Sequence, residues 1–113
     1  MNMRKYTVQE ADNTALGQAG SVFCDTAGTD LEPTSGVFVA IQILDDVTFT
    51  TLTPEEGAGR GFLSTGTASN AGASGAANNA IDTSNTFPGG TTLFGRWSKI
   101  NMNSGGSFIA YIG

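Results

Sequence analysis

Apolar and polar residues alternate in short runs along the chain, and nowhere do they recur at the spacing of an amphipathic helix. The most apolar run is Val37–Leu44, rich in β-branched side chains, which favours a strand. Val37, Val39, Ile41 and Ile43 fall on one face and Phe38, Ala40, Gln42 and Leu44 on the other, so both faces are largely apolar. A strand of this kind belongs at a sheet centre or a subunit contact. Asp45-Asp46 then reads as a two-residue turn, and Val47–Leu52 as the returning strand of a hairpin. In it Val47 and Phe49 point inward, and Thr48 and Thr50 outward.

A closing hairpin is expected at the C-terminal end. Thr91–Ile100 and Ser107–Ile112 flank the Asn-, Ser- and Gly-rich loop Asn101–Gly106. Alternation places Leu93, Gly95, Trp97 and Lys99 on one face, and Phe94, Arg96, Ser98 and Ile100 on the other. Gly95 leaves a gap between Leu93 and Trp97 for a large neighbouring side chain. Shorter strands are expected at Ser21–Cys24, Phe62–Ser64 and Ile81–Thr83. Pro54-Glu55-Glu56 reads as the first turn of a short helix, and Gly57–Gly61 as turn chemistry without the ending of a phosphate-binding loop. Residues 66–80 carry no charge and no large apolar side chain. They read as a mobile loop or as a segment ordered between subunits. The expected fold is all-β: a compact, antiparallel, β-sandwich or jelly-roll-like single domain over 21–113, preceded by an extended N-terminal arm, 1–20.

Composition narrows the function. Five Lys and Arg against ten Asp and Glu give a net charge of −5, and the basic residues do not cluster, which argues against nucleic acid as a partner. No apolar run is long enough to span a membrane as a helix, and the residues after Arg4-Lys5 lack a signal-peptide core, so synthesis and use without secretion are expected. Only 13% of residues are charged, which suits lasting contact with other subunits. Cys24 stands alone beside Val22 and Phe23 and reads as a buried small hydrophobe.

The chain has no histidine, the commonest general base and transition-metal ligand. The acidic pairs Asp45/Asp46 and Glu55/Glu56 point to opposite faces if extended, and Asp25, Asp30 and Glu32 match no calcium-loop spacing. No catalytic residue, cofactor or metal is therefore assigned. Trp97, Tyr111 and Tyr6 are candidates for stacking on sugar rings, although Trp97 in an alternating strand reads first as core. Arg96 is expected to pair with Asp82 or with a partner's carboxylate.

One stretch carries a resemblance. Phe87-Pro88-Gly89-Gly90-Thr91-Thr92-Leu93-Phe94-Gly95-Arg96-Trp97, followed after a Ser/Gly turn by Phe108-Ile109-Ala110-Tyr111, resembles the C-terminal motif of small virion structural proteins of tailed bacteriophages. The resemblance implies a capsid decoration (cement) protein, commonly a homotrimer, bound to the outer surface of the major capsid protein lattice and carrying no catalytic residue. Its location would be the virion surface. The basic and aromatic side chains Arg4, Lys5, Tyr6, Arg60, Arg96, Trp97 and Tyr111 are the candidate interface residues. The alternative reading is a tail-associated fibre or adhesin module that recognises a host surface glycan. A weaker third is an assembly factor absent from the mature particle.

Overall fold

The computed structural model describes residues 20–55, 63–65 and 80–113. Most of the expected arm, the Gly57–Gly61 turn and nearly all of the 66–80 segment lie outside them. The described residues form six strands: β1 (Ser21–Cys24), β2 (Asp30–Leu31), β3 (Phe38–Asp45), β4 (Thr48–Pro54), β5 (Thr92–Ser104) and β6 (Ser107–Ile112). No helix occurs among the described residues, and the chain is all-β as expected. Pro54 closes β4 and does not open a helical turn. Of the strand expected at Ile81–Thr83, a single bridge from Ile81 to Thr65 is present.

Neither expected hairpin forms. The sheet order is β1-β6-β3-β5-β2, with β4 on β5, and every strand pairing is antiparallel. β3 pairs with β6 along one edge and with β5 along the other, and β4 pairs with β5. The apolar β3 therefore sits in the sheet interior, as its two apolar faces required, and it separates β5 from the strand that follows it. Asp45-Asp46 and Gly105-Gly106 are corners joining strands that do not pair with each other. These corners pack together: a Cβ on Gly106 would run into the Asp46 carbonyl oxygen. Asp45 Oδ2 accepts the Ser107 hydroxyl at 3.1 Å and ties the first corner to the start of β6, while Asp46 Oδ1 accepts the Gly89 N–H at 2.9 Å and ties it to the approach to β5.

β5 is the spine. Its first half pairs with β3, while its second half holds β4 on one edge and β2 on the other. Leu93, Gly95 and Trp97 are buried, as alternation requires, but burial then resumes at Ile100 and Met102. The cause is a bulge: Thr53 pairs with Lys99 and Pro54 with Trp97, so Ser98 is an extra residue. The expected grouping of Ile100 with Phe94, and of Lys99 with Trp97, is thereby corrected. The strand also runs on to Ser104 through most of the expected loop. A second shift, between Phe38 and Ala40, turns Phe38 into the core beside Ile41 and Ile43, against simple alternation.

The sheet curls over one core. Phe49 on β4 and Phe108 on β6 have β5 and β3 between them, so a flat sheet would set their backbones about 14 Å apart. Their ring centroids lie 5.9 Å apart at a 59° tilt, and Phe87 packs on Phe49 at 5.7 Å. Trp97, Phe38, Phe49 and Phe108 are the largest fully buried side chains, each contributing about 1.5–3 kcal/mol from burial. The gap at Gly95 is filled by Trp97 itself, whose Cζ2 would lie 2.5 Å from a Cβ there.

Candidate interaction surface

The described surface divides into two chemically distinct faces. Where β4 lies on the second half of β5, the outward groups are polar and bonded to one another. Asn103 donates to Thr48 Oγ1 at 3.1 Å and accepts from Thr50 at 3.3 Å, and Thr48 and Ser104 share a 3.0 Å hydrogen bond. Next to them Asn101 donates to Asp30 Oδ1 at 2.8 Å, and Lys99 Nζ lies 3.7 Å from Asp30 Oδ2.

The other face is built by β1, β6, β3 and the first half of β5. Cross-strand partners share a side of a sheet, so the register defines two rows. One runs Phe23, Ile109, Gln42, Thr92 and the other Ser21, Tyr111, Ala40, Phe94. None of these eight residues is charged, and the rows are flanked on the same face by Arg96 beyond Phe94 and by Asp45 beside Ser107. Phe23 is 60% exposed and Phe94 58%. Among the polar groups, the Tyr111 hydroxyl donates to Gln42 Oε1 at 3.0 Å, so two of them satisfy each other in place of water.

Of the seven residues expected at an interface, Arg4, Lys5, Tyr6 and Arg60 lie outside the described residues. Trp97 offers no surface: it is fully buried, and its indole N–H donates to the Leu63 carbonyl at 2.6 Å. The same burial excludes it from stacking on a sugar. Tyr111 lies half-buried on the face it shares with Ala40 and Phe94. Arg96 does not reach for Asp82. It makes a two-pronged ion pair with Glu55, Nε to Oε1 at 2.7 Å and Nη2 to Oε2 at 3.0 Å, with the Arg96 side chain only 12% exposed. The backbone reinforces this, because the Glu55 N–H donates to the Arg96 carbonyl. A double-mutant cycle of Arg96→Met and Glu55→Gln is expected to give a coupling of about 1–2 kcal/mol in urea unfolding, more than an exposed pair supplies. Additive effects would show that the pair contributes nothing jointly.

Asp82 has a local role. The Ser84 hydroxyl, and after it the Ser84 backbone N–H, donate to Oδ1 and hold the exposed carboxyl below its ordinary value. A depressed folded-state pKa contributes stability above the ordinary carboxylate pKa, and that contribution is lost as pH falls through the folded value. Ser84→Ala is expected to move the Asp82 titration upward, partway because the backbone donor stays, as read by carboxyl-carbon NMR. An unmoved titration would sink this account.

Cys24 is half-buried against the core, and its Sγ faces the Thr26 carbonyl at 3.5 Å. Among the described residues no group of three or more Cys, Asp or Glu converges as a metal site. No helix among the described residues is long and apolar enough to cross a membrane. No protein-family model matches the chain, and the comparisons with curated proteins and with solved structures found no match.

The exposed rings at Phe23 and Phe94 are absent from the sequence-based candidates. The signal for Phe94 was present, since alternation sets it opposite Leu93 and Gly95. Phe23 carried no comparable signal, because a four-residue strand alternates too briefly to assign its inner face.

Proposed function

We propose that this chain is a capsid decoration protein of a tailed bacteriophage, made in the host cytoplasm and bound to the outer surface of the major capsid protein lattice. The observation that carries the reading is where the resembling motif falls. Phe87 to Trp97 and Phe108 to Tyr111 lie on the spine strand β5, its approach and β6, and they include the core residues Leu93, Trp97 and Phe108. A likeness confined to a surface loop would speak only to a binding detail. A likeness in these residues speaks to the architecture.

Two further features support it. The charge content is low, and at the far end of β4 and β5 the outward side chains Thr48, Thr50, Asn103 and Ser104 bond to one another, which leaves few polar groups to lose water on lasting contact with another protein. In this reading the work is mechanical: many equivalent contacts over a shell add up, so a modest affinity per copy stabilises the whole. Arg4, Lys5, Tyr6 and Arg60 are the residues proposed to reach the shell, and the copies to assemble as homotrimers.

The test is stoichiometry in purified particles. Copies in proportion to the shell subunits, with matching cryo-microscopy density on the head, support the proposal. A few copies at the tail tip would transfer the chain to the fibre or adhesin class. Absence from mature particles would make it an assembly factor.

A further inference from the structure

We draw no further inference here: the strongest candidate, the sheet face that presents the exposed rings of Phe23 on β1 and Phe94 on β5, together with the edge of β1 beside it, carries nothing, because nothing in the structure shows what covers it.

Discussion

Replacing Trp97 with alanine lowers the unfolding free energy by about 3–5 kcal/mol, the cost of emptying a fully buried aromatic site. For a domain of this size, with a total of about 5–15 kcal/mol, that is a large share of its stability. The position explains the magnitude. Trp97 sits at the bulge where β5 passes from one set of partners to the other, paired with Phe38 on β3 and with Pro54 on β4. Its ring lies over Gly95, and its N–H reaches the Leu63 carbonyl, so one side chain ties three segments. Two companions separate the contributions. Trp97→Phe keeps much of the apolar volume and leaves the Leu63 carbonyl without this donor, for a loss of about 1–3 kcal/mol. Gly95→Ala drives a methyl into the ring and costs about 1–3 kcal/mol by overpacking. Urea unfolding gives all three values. A Trp97→Ala loss below about 1 kcal/mol would mean that the indole lies at the surface, and the core assignment would fail with it.

Strand existence was legible in the sequence because it is local. The runs at Ser21–Cys24, Val37–Leu44, Val47–Leu52 and Ser107–Ile112 each alternate or carry β-branched residues, and each became a strand within a residue or two. Pairing was not legible, because it is decided by residues distant in sequence. Asp45-Asp46 and Gly105-Gly106 are turn formers in a hairpin and in a corner alike, and nothing local says which strand will lie alongside. The apolar faces of β3 held the answer indirectly: a strand covered on both sides competes for two neighbours, and it took β5 and β6 from their sequence partners. Bulges were the second blind spot. The extra residue at Ser98 reverses every later facing on β5, so Ile100 and Met102 enter the core and Lys99 leaves it. The partner of Arg96 was missed for a related reason. Glu55 looked like part of a helical turn behind Pro54, whereas β4 carries it straight to the spine.

Gly106→Ala is expected to be the most damaging of three glycine substitutions that differ by one feature at a time. Gly105 has nothing within 4 Å of an added Cβ and no positive φ, so Gly105→Ala should be neutral or stabilise by up to about 1 kcal/mol through the unfolded chain. Gly90 has φ +92° and equally open space, so alanine there meets backbone strain alone, about 1–3 kcal/mol. Gly106 combines φ +115° with contact against the Asp46 carbonyl, Val47 Cγ1 at 2.8 Å and the Asp45 carbonyl at 3.0 Å. Two of those three atoms are backbone, at the corner leaving β3, and cannot rotate away. Strain and collision add, so the loss should reach about 3 kcal/mol or more and exceed that of Gly90→Ala. The comparison isolates the stacking of the two corners, the feature that distinguishes this curled sheet from a pair of hairpins. In the hairpin arrangement Gly106 would sit in an open loop like Gly90, and the two variants would unfold at the same urea concentration.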